Sequence, residues 1–208
     1  MNVKALTEKE ISDILIAKVL GGFTMILFIS ACVRKASRTK RLADALLKKL
    51  GDTVQEVELS KIVFPTADES FLIKRDTLIA HEEWENPMFD LARQFAEADT
   101  IVIAAPYWDL SFPAALKQYI EKINVLGITF EYTAEGYPVG LCRADKLYYV
   151  MTAGGNYVPE EFGFGYIKAL AENFYGIKDV KLIKATGLDI YGNDPEKIMA
   201  EAISNIEV

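Results

Sequence analysis

Histidine and cysteine are scarce in this 208-residue chain: one histidine, His81, and two cysteines, Cys32 and Cys142. Neither cysteine belongs to a C-x-x-C pair, which argues against a zinc site, an iron–sulfur cluster or a disulfide framework, so no metal is expected. A Ser-His or Cys-His catalytic system would need His81 itself as the base. Positive charge is in deficit too, with 23 Lys and Arg against 30 Asp and Glu and a net charge of −7. An acidic surface disfavours nucleic acid and anionic lipid, whose binding rests on basic patches. No low-complexity stretch or internal repeat is evident.

Long hydrophobic runs are missing as well. The uncharged stretch at 19–33, "VLGGFTMILFISACV", has 15 residues, short of the about 20 that a membrane-spanning helix needs. "ISAC" at 29–32 resembles a lipoprotein cleavage box, but the segment before it mixes Glu8, Glu10 and Asp13 with its lysines. A basic n-region is not built that way, and cleavage there would discard the first strand of the pattern below. What remains is a cytoplasmic protein acting on small molecules, without nucleic-acid or membrane partners.

The chain is 51% hydrophobic, enough for one substantial core, and single cores run to roughly 200–250 residues. Residues 1–24 read as a helical appendage without catalytic role: "TEKEISDILIAKVL" is amphipathic and ends at Gly21-Gly22. An extension upstream of Met25 is the other reading. Residues 25–208 form the domain proper.

Within it, strand and helix alternate. "MILFIS" (25–30) is a continuous apolar run, as in a strand buried on both faces. From Ser37, Leu42, Leu46 and Leu50 recur at helical spacing until Gly51 closes the helix. "TVQEVELS" (53–60) alternates like a strand, and 60–85 is a polar, irregular excursion holding His81 at the surface. A helix over 86–99 leads into the strand "TIVIAAP" (100–106). Ser111 is expected to cap the next helix, with Pro113 in its first turn. Then come a strand running into a glycine turn (146–155), a helix (164–176), a strand (179–189) and a last helix (194–206).

Five such alternations predict an α/β, flavodoxin-like three-layer sandwich: a five-stranded parallel sheet, order 2-1-3-4-5, with helices on both faces. Ligands in such folds bind beyond the strands' C-terminal ends, where strand order reverses. Three loops lie there: "SACVRKASRT" (30–39), "APYWDLSFP" (105–113) and "TAGGNY" (152–157).

The first loop opens a helix, whose free amides and dipole attract anions. Ser37 and Thr39 add hydroxyls, while Arg34, Lys35, Arg38 and Lys40 add charge. The bland alternative is an ordinary cap with solvated cations. A sharper one is hydrolytic: Cys32 to Arg38 spells the C-x5-R of low-molecular-weight phosphatases, and Asp194 in "NDP" is available as general acid. Against it, "VRKAS" lacks the glycine or asparagine that wrapping around a phosphate favours. In the second loop, Tyr107, Trp108 and Phe112 suit a flat conjugated ring, or equally a core lid or subunit interface. Gly154 and Gly155 in the third let backbone approach a ligand closely, or simply turn the chain.

From Met25 to the C-terminus, the chain resembles the FMN-dependent NAD(P)H:quinone oxidoreductase and azoreductase family of flavodoxin-like proteins. The resemblance is carried by "APYWDLSFPAALKQYIEKINVLGITFEYTAEGYPVGL" and by "SRTKRLADALL". It implies two-electron hydride transfer from NAD(P)H to quinone, azo or nitro compounds, with the chemistry carried by FMN and no catalytic side chain. Ser37, Arg38 and Thr39 would hold the FMN phosphate, with Ser30 or Ala31 at another phosphate-loop position. Pro106, Tyr107, Trp108, Asp109 and Leu110 would line the isoalloxazine ring, and Thr152, Ala153, Gly154 and Gly155 its pyrimidine edge. Phe130 and Tyr132 would shape the substrate pocket, near the interface of a homodimer.

Two positions depart from the family. Asp109 stands where many members have asparagine, and an ionised carboxylate there would oppose negative charge on a reduced flavin. Ala153 stands where many have arginine. Arg34, Lys35 and Arg143 are each able to meet a 2′-phosphate, so the choice between NADH and NADPH stays open. A flavodoxin-type carrier of single electrons is the non-enzymatic alternative. The long 124–145 segment, able to wall a substrate pocket, favours an enzyme.

Overall fold

The computed structural model describes residues 24–208. All of the expected N-terminal appendage except Thr24 lies outside the described residues.

A five-stranded parallel sheet forms the middle layer. Its strands in chain order are β1 (Met25–Ser30), β2 (Thr53–Glu58), β3 (Thr100–Ala104), β6 (Lys146–Thr152) and β7 (Asp179–Ala185). Their spatial order is β2-β1-β3-β6-β7, which is the expected 2-1-3-4-5 once a small hairpin, β4 (Phe130–Tyr132) and β5 (Pro138–Gly140), is set aside. The helices are α1 (Arg38–Leu50), α2 (Glu69–Ala80), α3 (Asp90–Glu97), α4 (Ala114–Ile123), α5 (Phe164–Leu170) and α6 (Pro195–Ser204).

The period-two alternation of the strands sorts the core into two faces. Ile26, Phe28, Val102, Ala104, Tyr148 and Val150 pack with Leu42, Leu46 of α1 and Met199 of α6. Their neighbours Leu27, Ile29, Ile101, Ile103, Leu147 and Tyr149 pack with Phe95 of α3, Leu116 and Tyr119 of α4, and Tyr175. Each fully buried aliphatic side chain contributes about 1.5–3 kcal/mol, so both layers are held to the sheet by burial rather than by surface charge.

Local chemistry fixes the helix carrying the first loop. Ser37 Oγ accepts from Lys40 N at 3.2 Å, a cap worth about 1 kcal/mol. At the other end Gly51 takes φ 77° and donates to Leu47 O, a left-handed turn that glycine adopts at least cost.

Several boundaries differ from expectation. The 60–85 excursion contains α2, whose residues are mostly solvent-facing with only Leu78 buried; without an apolar stripe, helical periodicity leaves no signal. The expected 86–99 helix splits into a 3-10 turn (Pro87–Phe89) and α3. Ser111 does not cap α4: Pro113 sits at that position, and Ser111 Oγ donates instead to Phe162 O at 2.7 Å. The 164–176 helix widens into a π turn at Ala171–Tyr175 before Gly176 ends it at φ 77°. His81 ends α2, exposed, its Nδ1 3.7 Å from Glu83.

Candidate functional site

Strand order reverses between β1 and β3, and the loops leaving β1, β3 and β6 enclose a cleft of about 190 Å³ there. Ser37, Arg38, Thr39, Pro106, Tyr107, Trp108, Thr152, Ala153 and Gly154 line it together. Residues as far apart as Ser37 and Gly154, 117 positions in sequence, are thus neighbours because parallel strands deliver their C-terminal ends to one edge.

Backbone bonds lock the loops to one another. Tyr107 N donates to Thr152 O at 3.0 Å, and Asp189 N donates to Gly154 O at 2.9 Å. A buried hydroxyl pair, Thr39 Oγ1 and Thr152 Oγ1 at 2.7 Å, ties α1 to the end of β6. The Thr39 hydroxyl is therefore committed to Thr152. What α1 offers the cleft is its first-turn backbone: the amides of Arg38 and Thr39 meet no acceptor among the described residues. Free amides there, at the positive end of a 13-residue helix, form an anion site.

Arg38 is held in place by two acceptors, Leu188 O at 3.1 Å from Nη1 and Asp189 Oδ1 at 2.7 Å from Nη2. Asp189 also presses on Gly154: a Cβ there would meet Asp189 Oδ2 at 2.4 Å. A side chain at 154 would have to push the Asp189 carboxylate aside, and its pairing with Arg38 with it.

The opposite wall is aromatic. Trp108 and Ser111 bond each other twice, Trp108 N to Ser111 O at 3.0 Å and Ser111 N to Trp108 O at 2.7 Å. The two residues between them, Asp109 and Leu110, take φ 49° and 66°, a left-handed conformation costing an L-residue about 1–2 kcal/mol. Trp108 is 40% exposed beside the cleft. Tyr107 donates its hydroxyl to Pro159 O at 3.3 Å, and its pKa is raised, first by desolvation and then by nearby Tyr157 and Glu161.

Not every expected residue reaches the cleft. Ser30 is buried at the end of β1 behind it. Asp109 and Leu110 occupy the exposed tip of the turn, and Gly155 is exposed beyond Gly154. Phe130 and Tyr132 stand in the β4–β5 hairpin away from it, Phe130 packed edge-on to Phe174 with centroids 5.1 Å apart. Val33, Ala36 and Asp189 line the cleft and were not in the expected set, and Arg34, expected as a charge of the first loop, lines it too. Asp189 was hidden because 179–189 reads as one strand, whereas β7 ends at Ala185 and a glycine turn at Gly187 (φ 74°) swings Asp189 inward.

Cys32 is half-buried, and burial raises its pKa against opposing hydrogen bonds from Ser37 and Ser30 and the charge of Lys40. A thiol so placed stays protonated at neutral pH and is a poor nucleophile. Among the described residues no helix is long and apolar enough to cross a membrane.

A family model described as flavodoxin-like fold matches residues 24–208. An FMN-dependent NADH:quinone oxidoreductase of Clostridium beijerinckii is 38% identical over 187 residues, covering 86% of this chain and 93% of the relative. One of the same name from Clostridium perfringens is 37% identical over 187 residues with the same coverage. Among solved structures, an azoreductase from Bacillus anthracis superposes with a TM-score of 0.74 at 26% identity, covering 87% of this chain and 95% of that one.

Proposed function

The chain belongs to the flavodoxin-like fold family, and from that premise we propose that it is an FMN-dependent oxidoreductase that uses NAD(P)H to reduce quinones, azo or nitro compounds. One observation carries the reading. The free amides of a helix N-terminus, a fixed arginine, a proline–aromatic turn and a closely packed glycine line the same cleft. Relatives sharing more than a third of the sequence bear FMN and NADH in their names.

The residues present fit FMN. The amides of Arg38 and Thr39, the Ser37 hydroxyl and the Arg38 guanidinium would hold its phosphate. Pro106, Tyr107 and Trp108 would flank the ring, with Asp109 and Leu110 shaping the turn that presents them. Thr152, Ala153, Gly154 and Gly155 would meet the pyrimidine edge. When bound, FMN supplies a ring that accepts a hydride from NAD(P)H and delivers it to the acceptor. The protein's own part is to orient, exclude water and hold charge. Asp189 fixes Arg38 so that little side-chain entropy is lost when an anion arrives. Trp108 and Tyr107 supply apolar cover on the ring side. Ala153, in place of arginine, leaves that edge uncharged.

This reading also makes the protein a cytoplasmic homodimer, with Tyr132 and Phe130 shaping the acceptor pocket across the interface. The exposure of Trp108 (40%) and Leu110 (44%) in the turn, and of Phe162 (59%), whose carbonyl accepts from Ser111 in that turn, supports an apolar interface there. The raised pKa of Cys32 speaks against the hydrolytic use of the C-x5-R spacing.

An anaerobic absorption spectrum of the protein with FMN, before and after NADH, tests the proposal. Flavin bands that bleach with NADH and return with a quinone are expected. No retained flavin, together with p-nitrophenyl phosphate hydrolysis abolished by Cys32→Ser, overturns it.

A further inference from the structure

A second cleft among the described residues, about 940 Å³, lies elsewhere and shares no lining residue with the cleft described above. The chain after β2, helix α2, the turn before α3 and the end of α4 wall it, with Ile62, Phe64, Phe71, Met88 and Leu91 as its apolar surface. Into this setting α4 places Lys122. Its Nζ is buried and meets no hydrogen-bond acceptor among the described residues.

An ammonium out of water without an acceptor is costly. The Phe71 ring, its centroid 3.6 Å from Nζ, offsets part of that cost but leaves the three N–H donors without acceptors. Lys74 adds a second positive charge to the wall. Among the described residues that line the cleft, Asp68 is the one carboxylate, and it is engaged as the cap of α2: its Oδ1 accepts from Phe71 N at 2.9 Å and Ser70 Oγ at 2.7 Å. Glu121, next to Lys122 but outside that lining, is paired with Lys117 at 2.6 Å. The cleft therefore combines an apolar, ring-bearing surface with a net positive charge and an unsatisfied donor. Its volume falls in the range of small-molecule sites, roughly 300–1,000 Å³.

We propose that this cleft binds an aromatic acid, the ring packed against Phe71 and Leu91 and the anionic group paired with Lys122. Such a ligand supplies the acceptor that Lys122 lacks and covers apolar surface at the same time. The site stands apart from the flavin reading and does not depend on it.

Calorimetric titration of the full chain, with and without saturating FMN, tests this with two probes: 8-anilino-1-naphthalenesulfonate and its uncharged analogue N-phenyl-1-naphthylamine. One sulfonate site per chain is expected, unaffected by FMN. Lys122→Met should weaken the sulfonate at least about tenfold, as for loss of a charge-assisted bond, and leave the uncharged probe within about twofold. Lys74→Gln, at an exposed position where folding is not at issue, should weaken it about two- to threefold. Sulfonate affinity unchanged in both variants overturns the proposal, as does displacement of the probe by FMN. Probe binding that appears only when a dimer is diluted to monomer also overturns it, and gives this face to a second copy of the chain.

Discussion

The two walls of the small cleft are built on opposite principles. The α1 wall is relaxed, with its side chains bonded and its first amides free: Ser37 caps the helix, Thr39 pairs with Thr152, and Arg38 is held by Leu188 and Asp189. The aromatic wall hangs on a two-residue turn whose central residues, Asp109 and Leu110, are neither glycine nor asparagine yet take positive φ. An anion site needs fixed charge and fixed amides, and hydrogen bonds fix both without strain. A ring-facing wall needs a side chain projected at one angle, and here a costly backbone conformation supplies the projection. Stability should therefore reside in the first wall and strain in the second.

The largest effect is expected where the bonded wall is cut. Thr39→Val leaves the buried Thr152 hydroxyl without its partner and should cost about 1–3 kcal/mol in urea denaturation. Adding Thr152→Val should cost less than the two single changes together, since both polar atoms are then gone. Strict additivity would mean that the pair at 2.7 Å is not the tie between α1 and β6. Next comes Arg38→Met, expected to weaken FMN about tenfold while leaving riboflavin, which lacks the phosphate, within about twofold; loss of one charge-assisted bond is of that order. Equal loss for both flavins would move Arg38 from the phosphate to the ring.

The same contrast governs what the sequence made legible. Strand order and the three loops that meet at the cleft followed from apolar runs of fixed period and from loops of unusual chemistry, since burial on both faces leaves a plain pattern, whereas the residue-by-residue lining came from the family resemblance. Helix α2 did not, because a helix with a single buried residue, Leu78, carries no stripe. The role of Ser111 was misread because a serine two residues before a proline fits a cap, while the hairpin bonds between Trp108 and Ser111 hold it in another element. Asp189 escaped because its partner Arg38 is 151 residues away, and a contact of that separation leaves no local trace. Phe130 and Tyr132 carried a resemblance rather than a physical pattern, and their hairpin stands apart from the cleft of this chain.

Smaller effects probe the strained wall. Replacing Leu110, at φ 66°, by glycine should remove about 1–2 kcal/mol of backbone strain and lose about 0.5–1 kcal/mol through the more flexible unfolded chain. A net gain of a few tenths to about 1 kcal/mol in denaturation is expected. A loss would show that the turn is held by its own side-chain contacts, and the contrast between the walls would disappear.

The smallest effect belongs to Cys32, the one residue of the α1 wall's loop with nucleophilic chemistry of its own. Its sulfur lies 3.8 Å from Ala104 O, packed against the core, and burial holds the thiol protonated. If that wall works through amides, hydroxyls and a fixed arginine, the sulfur is packing material, and serine, smaller but able to keep the contact with Ala104 O, should serve in its place. Cys32→Ser is expected to change FMN affinity and NADH-dependent quinone reduction by less than about twofold, a difference under ~0.5 kcal/mol. Iodoacetamide should modify the native thiol more slowly than an unfolded one, because the thiolate is the reacting form. Rapid modification at pH 7, with loss of activity, would mean that the loop stabilises a thiolate after all, and the α1 wall would then be reactive rather than merely receptive.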